Sequence, residues 1–223
     1  MDIEIIARIH TDFENKFGIP RQSGLVESLM GEIVFEPKYR NPDAVRGIQD
    51  FSHLWLIWEF SKARRDGWTA TVRPPRLGGN ERVGVFATRS PFRPNPLGLS
   101  CVKLERVEYD ANRGPVLIVS GIDMLDGTPI YDIKPYVPHA DLRPDAVGGF
   151  ADVHRDDKVE VVFPDELLAI VPEDKRKALV GVLAGDPRPS YQDDPERVYG
   201  FGFAGLEVKF RVSSGVLTVC GIE

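Results

Sequence analysis

The sequence predicts a mainly β fold, either a barrel or a sandwich, followed by a small α+β unit. Strand-like segments follow one another at short intervals through the first 140 residues of the 223-residue chain, with Gly, Pro and Asn between them. No long helical segment separates these strands, which argues against a parallel sheet with crossover helices. A chain of this length buries a substantial core.

The predicted strands of the first part are short. Residues 3–9 are β-branched and apolar, residues 31–35 alternate, and residues 53–60 (HLWLIWEF) are almost continuously apolar. The last pattern is expected of a strand that is covered on both faces. Further strands are predicted at 83–87, 101–109 and 115–122, and one short helix at 43–49, after Asn41-Pro42.

The C-terminal third has a different pattern. Residues 142–157 contain a Gly-Gly pair and several acids, so we interpret them as a linker between a domain at 1–141 and a second domain at 158–223. After a short strand at 158–163, residues 173–184 show helical spacing and end at a glycine. Residues 198–203, 206–212 and 216–222 predict a hairpin or meander.

Composition and motifs exclude several classes of protein. The net charge of −6 argues against a chain held on nucleic acid by bulk charge alone. Two cysteines are too few for a disulfide scaffold or a four-cysteine zinc site, and the four histidines show no metal-binding spacing, so we expect no metal. No segment approaches the ~18 apolar residues of a membrane helix and none looks like a signal peptide, so we expect a cytoplasmic protein.

Nucleotide-binding motifs of the common kinds are also disfavoured. GFGFAG at 200–205 fits the dinucleotide pattern, but the following LEVKFRV alternates with strand period where the motif requires a helix. The chain has no P-loop and no G-x-S-x-G elbow. The sequence therefore argues against a Rossmann methyltransferase, a P-loop enzyme and a serine hydrolase.

An arginine-rich segment stands out in this acidic chain. From residue 73 to residue 93 there are five arginines and one acid, Glu81, and the segment through residue 100 is rich in Pro and Gly. Such a stiff, positive loop can receive a phosphate, a carboxylate or an RNA strand. Pairing of these arginines with acids elsewhere in the fold is the alternative.

A second polar segment, DGTPIYDIKPY, covers residues 126–136. Asp126, Asp132, Lys134 and Tyr136 share parity, so in an extended segment they point to one face. That face would carry two carboxylates, an ammonium group and a phenol. A solvated strand face is the alternative interpretation.

Taken together, these segments resemble a known family. PRQSG at 20–24, the run at 45–60, PPRLGGN at 74–80, FATRSPFRPNPLGLS at 86–100, DGTPIYDIKPYVP at 126–138 and DPRPSY at 186–191 resemble the TsaA-like, or TrmO, family of S-adenosylmethionine-dependent tRNA methyltransferases. The resemblance implies an antiparallel β-barrel that binds S-adenosylmethionine near a homodimer interface, with a C-terminal domain that helps hold tRNA. It implies methylation of N6 of threonylcarbamoyladenosine beside the anticodon of threonine tRNAs.

The resemblance also implies cofactor contacts, and residue chemistry suggests roles for some of them. Arg89 suits the carboxylate of the cofactor, and Leu99 suits its adenine. Phe60 suits the adenine or the sulfonium cation, and Asp126 suits the ribose hydroxyls or the amino group. The implied cofactor contacts are Gln22, Ser23, Gly24, Phe60, Ser61, Arg89, Leu99, Asp126, Gly127, Thr128 and Pro129.

The expected reaction is favoured by removal of the proton on N6. N6 of threonylcarbamoyladenosine belongs to a urea-like group, so its attack on a methyl group becomes easier as the N–H proton is lost. Asp126, Asp132 and Tyr136 are equal candidates for a general base, and the catalytic residue is left unknown. The hypothesised substrate contacts are Arg93, Lys134, Tyr136, Arg188 and Tyr191.

Two other functions stay open. The alternatives are an S-adenosylmethionine sensor that acts through a partner, and a methyltransferase for another RNA or small substrate. The apolar run at 53–60 fits a dimer interface and a monomer core equally well.

Overall fold

Eight strands form the N-terminal part of the structure, a computed structural model that describes residues 2–63, 67–74, 77, 81–153, 157–188 and 194–223. In chain order they are β1 (Ala7–Thr11), β2 (Met30–Phe35), β3 (His53–Glu59), β4 (Thr71–Val72), β5 (Val83–Gly84), β6 (Leu97–Asp110), β7 (Gly114–Ser120) and β8 (Thr128–Pro135). Six of them close into an antiparallel barrel in the order β1–β2–β7–β6–β3–β8, and β4 pairs with β5. The predicted mainly β fold is confirmed.

The barrel closes through the polar segment that follows β7. Strand β8 pairs with β1 through Ala7 and Ile130 and with β3 through Leu56 and Ile133. Alternate residues of the barrel strands point inward, and the inward set is mostly apolar because it fills the interior. Ile9, Leu54 and Ile130, for example, are fully buried.

The C-terminal part is a mixed sheet with helices. It contains α1 (Pro138–Asp141), α2 (Phe150–Val153), β9 (Glu160–Val162), α3 (Asp165–Leu168), α4 (Glu173–Ala184), β10 (Tyr199–Phe203), β11 (Leu206–Ser213) and β12 (Val216–Ile222). The sheet order is β10–β11–β12–β9, with β9 parallel to β12. The GFGFAG segment is the β10–β11 hairpin, and its turn uses Ala204 (φ 53°) and Gly205 (φ 76°). No helix follows it, as the alternation of LEVKFRV indicates.

The loop after β1 joins the two parts. The ring of Phe13 meets that of Phe203 edge to face at 5.4 Å, and Lys175 Nζ lies 2.6 Å from Asp12 Oδ2. Gly18 packs so closely that an added Cβ would stand 2.4 Å from the ring of Phe201. This loop continues into residues 22–24, so the second sheet braces a segment that was predicted to bind the cofactor.

Three local predictions are wrong. The expected helix at 43–49 is two short 3₁₀ turns, Pro42–Val45 and Ile48–Asp50, because Arg46 is extended (ψ 123°) and Gly47 adopts φ 85°. The expected strand at 83–87 ends at Gly84 and continues as a 3₁₀ turn, and the first strand begins at Ala7 rather than at residue 3.

The expectation that residues 53–60 are covered on both faces is also wrong for the single chain. Leu54, Leu56 and Trp58 point into the barrel and are buried. Trp55 and Ile57 point outward and stay part-exposed. The run is continuously apolar because both faces carry apolar residues, although the barrel itself covers only one of them.

Candidate cofactor site

The structure brings together two of the segments that were predicted to bind the cofactor. Arg89 Nη1 donates a hydrogen bond to Gln22 Oε1, across 67 residues of sequence. Arg89 is exposed and Gln22 is part-buried, so the guanidinium stands at the rim of this junction. An arginine has five N–H donors, and one bond to an amide leaves others for a ligand.

Residues 22–24 are fixed from two sides. Ser23 Oγ accepts a hydrogen bond from the backbone N–H of Cys101 (3.1 Å), which ties the segment to β6. The N–H of Gly24 donates to the carbonyl of Gly121 (2.8 Å), at the start of the loop between β7 and β8. Gly24 has φ 79° with no atom within 4 Å of the position of a Cβ, so the glycine is needed for its backbone conformation rather than for space.

Asp126 ends the same β7–β8 loop, but its own hydrogen bonds run to β1. Asp126 Oδ1 accepts from the N–H of Thr11 (3.0 Å) and lies 3.2 Å from His10 Nδ1. Gly127 has φ 71°, and its N–H donates to the carbonyl of Ile9 (2.9 Å). The loop therefore touches residues 22–24 at one end and holds Asp126 beside β1 at the other.

Thr128 and Pro129, the two remaining predicted contacts of this segment, begin β8 and are buried. Thr128 Oγ1 donates to the carbonyl of Leu125 (2.7 Å). These two residues shape the turn, and Asp126 and Gly127 are the members of the segment that are not buried.

Phe60, Ser61 and Leu99 lie around the end of β3. The ring of Phe60 is 4.3 Å from that of Trp58, and its N–H donates to the carbonyl of Pro96 (2.9 Å). Ser61 is exposed at the start of the turn Ser61–Ala63. Leu99 is 53% exposed on the outside of the barrel, which leaves an apolar surface beside this cluster.

Sequence reasoning missed a polar chain inside the barrel. Trp58 Nε1 donates to Ser100 Oγ (2.9 Å), and Ser100 Oγ donates to Asp123 Oδ1 (2.6 Å). Burial raises the pKa of Asp123 to about 6, although hydrogen bonds from Ser100 and the backbone of Ser23, and the charge of Arg89, act to lower it. Ser100 is fully buried. A serine at an inward position of a barrel strand was the sequence signal that could have found this chain.

The hypothesised substrate residues fall on two surfaces. Arg93 Nη1 donates to the carbonyl of Thr88 (3.0 Å), and its guanidinium lies 6.0 Å from the ring of Phe86. That ring is 71% exposed and lies 6.0 Å from the ring of Trp68. We call Trp68, Phe86 and Arg93 the aromatic platform.

The second surface is the outside of β8, β3 and β6, which we call the outer face. Ile57 stands opposite Asp132 on one side and Leu99 on the other. With neighbouring strands about 4.8 Å apart, the Cα atoms of Asp132 and Leu99 are roughly 10 Å apart. Trp55 stands opposite Lys134 and Cys101 in the next row.

The parity argument for residues 126–136 holds for only part of the segment. Asp132 Oδ2 and Lys134 Nζ are 2.8 Å apart, so these two share a face. The ring of Tyr136 lies 5.8 Å from that of Trp55, just past the end of β8. Asp126 precedes the strand, and a register shift between Ile57 and Trp58 breaks the alternation further along β8.

The DPRPSY segment is only partly described. Arg188 Nε lies 3.0 Å from Asp186 Oδ2 just after α4, and its side chain is 16% exposed. This is the geometry of a helix end. Tyr191 lies outside the described residues.

The described residues show neither a metal-binding cluster nor a membrane-spanning helix. They contain no group of three or more His, Cys, Asp or Glu side chains that could hold a metal ion. No helix among them has the length and apolar character that a membrane crossing needs.

Both parts of the chain match models of one family. Residues 8–142 match the tRNA-methyltransferase O N-terminal domain, and residues 156–223 match the TrmO C-terminal domain. The tRNA (adenine(37)-N6)-methyltransferase of Escherichia coli is 41% identical over 99% of this chain and 97% of its own length. The protein of the same name from Eikenella corrodens is 49% identical over 76% of this chain and 95% of its own length.

A Pseudomonas aeruginosa relative that bears the name S-adenosylmethionine-dependent methyltransferase RcsF is 44% identical over 87% of this chain and 80% of its own length. A crystal structure of TrmO from Pseudomonas aeruginosa is similar with a TM-score of 0.80 and 32% identity, covering 100% of this chain and 98% of that one. The barrel and its loop cluster therefore define a β-barrel protein of the tRNA-methyltransferase O class. The chain belongs to the TrmO family.

Proposed function

We propose that this protein transfers a methyl group from S-adenosylmethionine to N6 of the adenine at position 37 of tRNA, and that the base is threonylcarbamoyladenosine in threonine tRNAs. The similarity to the Escherichia coli tRNA (adenine(37)-N6)-methyltransferase over 99% of the chain carries this proposal. The junction of Arg89 with Gln22 supports it, because it joins two segments that the family resemblance assigns to one ligand.

The residues of the junction suit the proposed cofactor. S-adenosylmethionine, when bound, supplies an electrophilic methyl group on a sulfonium. Arg89 is exposed and keeps donors free for a carboxylate, while Leu99 and the part-buried Phe60 offer apolar surface for an adenine. The exposed backbone at Gly24 can approach a ligand closely because it carries no Cβ. The donor set therefore fits a small molecule with a carboxylate and an aromatic base.

Of the three general-base candidates, the geometry favours Asp132. It lies in the same cross-strand row as Leu99, whereas Asp126 is held by Thr11 and His10 at the other end of β8. Its partner Lys134 is exposed and carries the positive charge that a threonyl carboxylate needs. In the Asp132–Lys134 pair, Asp132 would thus accept the N6 proton and Lys134 would bind the substrate carboxylate.

The aromatic platform suits the anticodon loop. Single-stranded RNA is recognised chiefly by stacking of unpaired bases on aromatic rings and guanidinium planes. Phe86 and Trp68 are both exposed, and Arg93 lies over the outermost ring. Arg188 supports tRNA binding least, because its guanidinium is mostly buried against Asp186.

The outer face suits a homodimer interface. Leu97 and Leu99 are exposed on β6, and Trp55 and Ile57 are part-exposed on β3, so four neighbouring outward positions are apolar. An apolar strip of this kind is normally covered in solution. A second copy would cover it and bring two cofactor sites to one interface. Sedimentation of the purified protein tests this, and a concentration-independent monomer contradicts it.

The test of function is mass spectrometry of nucleosides from tRNA incubated with the protein and labelled S-adenosylmethionine. We expect label on threonylcarbamoyladenosine of threonine tRNA, from an enzyme that meets its substrate in the cytoplasm. Label on another nucleoside would support a methyltransferase of different specificity. Bound cofactor without transfer would support a sensor module.

A further inference from the structure

A part-buried carboxylate lies behind the residues that were predicted to bind the cofactor, and the proposed reaction does not use it. Asp123 sits in the β7–β8 loop and accepts a hydrogen bond from Ser100 Oγ at 2.6 Å. The backbone of Ser23 hydrogen-bonds to the same carboxylate. Ser100 in turn accepts a hydrogen bond from the indole N–H of Trp58, so the chain of hydrogen bonds joins β3, β6 and the β7–β8 loop.

This carboxylate holds the cofactor segment at a second point, in addition to the hydrogen bond from β6. Ser23 bonds to Asp123 through its backbone and to Cys101 through its Oγ, so it is held by both the β7–β8 loop and β6. Trp58, at the other end of the hydrogen-bond chain, packs on Phe60, another predicted cofactor contact. Gly98 allows this packing, because an added Cβ would stand 2.2 Å from the Trp58 ring.

The groups that face Asp123 come from three elements. Ser100 belongs to β6, Ser23 to the loop after β1, and Arg89 to the arginine-rich segment. Arg89 is the charged group among those that act on Asp123 in the described part of the chain. Asp126, on the same loop, is turned toward Thr11 and His10 instead.

A fold gains little from such a group. A carboxylate that is removed from water is costly to ionise, and burial raises the pKa of Asp123 to about 6 even with its hydrogen bonds. Retaining an ionised group at this cost is typical of functional sites rather than of packing. The position of Asp123 between Ser23, Ser100 and Arg89 indicates that it organises the predicted cofactor site.

We propose that Asp123 is a positioning residue of the cofactor site, and that its ionised carboxylate holds residues 22–24 and Arg89 in the arrangement that binds S-adenosylmethionine, acting through Ser23 and Ser100. The inference rests on the proposed function, because it takes these residues as the cofactor site. Ionised, the carboxylate accepts from both partners. Protonated, it becomes a donor at one oxygen and loses its attraction for Arg89.

The experiment is isothermal titration of the full chain with S-adenosylmethionine between pH 5.5 and pH 8. We expect the affinity of the wild-type chain to fall several-fold as the pH is lowered through about 6. Asp123→Asn keeps the shape and loses the charge, and should bind roughly tenfold more weakly at pH 7.5, as expected for loss of a charge-assisted hydrogen bond. Its affinity should stay nearly flat over the pH range.

Two further variants make the result decisive. Asp110→Asn is the control, because Asp110 is the last residue of β6, ten residues after Ser100, at the turn before β7. This variant should leave affinity and pH dependence unchanged. Ser100→Ala removes one donor and keeps the carboxylate, so it should weaken binding about threefold while the pH dependence persists. It replaces Asp123→Asn as the test if that variant fails to fold.

The outcomes separate this inference from the proposed function. If Arg89→Ala weakens binding but Asp123→Asn keeps the affinity and pH dependence of the wild type, the positioning role is wrong and the cofactor site stands. If neither Arg89→Ala nor Gln22→Ala changes binding, the assignment of the site itself is wrong. Unchanged binding in Ser100→Ala would also contradict the role of Asp123.

Discussion

The first half of β6 departs on both of its sides from the pattern of an ordinary barrel strand. Its inward positions include Ser100, which belongs to a polar chain, while its outward positions include Leu97 and Leu99, which are exposed. In a barrel that faces water, apolar residues point in and polar residues point out. Departures from such a pattern are expected at functional sites. We therefore infer that the inner side positions the ligand-binding segment and that the outer face is covered by a partner.

The outer face should contain the group on which chemistry depends most. Asp132→Asn is expected to lower the rate of methyl transfer by about 10²-fold or more, the usual effect of removing a general base, with little change in cofactor affinity. Single-turnover measurements at saturating S-adenosylmethionine check this. A rate within threefold of the wild type would exclude Asp132 and leave Asp126 and Tyr136 as candidates.

Cofactor binding should depend most on Arg89, at the rim of the segment that the inner side supports. Arg89→Ala is expected to weaken S-adenosylmethionine binding by about 10- to 100-fold, because it removes hydrogen bonds from a charged donor to the cofactor carboxylate. Arg106→Ala, an exposed arginine paired with Glu108 on β6, is the matched control. Equal calorimetric affinities of these two variants would contradict the role of Arg89.

The sequence predicted the residues of the cofactor segments but not the polar residues on the inner side of the barrel. The residues at 22–24, 89 and 126–129 were predicted from the family resemblance, and the fold brings Gln22 to Arg89. Asp123 and Ser100 were not found, because their roles depend on which face of the barrel each occupies. The Gly47 conformation broke the expected helix at 43–49, and propensity alone does not reveal a positive φ.

The apolar rows of the outer face should control association. Ile57→Lys places an ammonium group between Asp132 and Leu99 and is expected to weaken the proposed dimer by 10-fold or more, because a charge must then be removed from water on association. Val147→Lys, at a side chain that is 89% exposed, is the control. Sedimentation velocity over a range of concentrations measures the effect, and identical profiles for both variants would exclude this face as the interface.

The aromatic platform offers a smaller effect. Phe86→Ala should raise KM for tRNA about tenfold and leave cofactor affinity unchanged, because a base stacked on an aromatic ring contributes about 1–3 kcal/mol. Tyr109→Ala, another exposed ring at 65% on β6, is the matched control. If both variants have the KM of the wild type, the platform does not bind tRNA.

The stability of the inner side should depend on pH in a defined direction. Because burial raises the pKa of Asp123 from 3.8 to about 6, the folded state binds more protons than the unfolded state in this window, and the contribution of Asp123 to stability falls as the pH rises through it. Asp123→Asn should therefore stabilise the chain by about 1–3 kcal/mol above pH 6 and by little below pH 4. Thermal unfolding of the cofactor-free protein checks this, and a destabilised variant at pH 7.5 would contradict it.

A crystal structure of this chain with S-adenosylmethionine tests the central claim most directly. We expect the cofactor carboxylate against the guanidinium of Arg89, with residues 22–24 along the ligand and Asp123 behind them without touching it. A cofactor bound elsewhere on either copy, with Gln22 and Arg89 still paired to each other and facing solvent, would contradict the account.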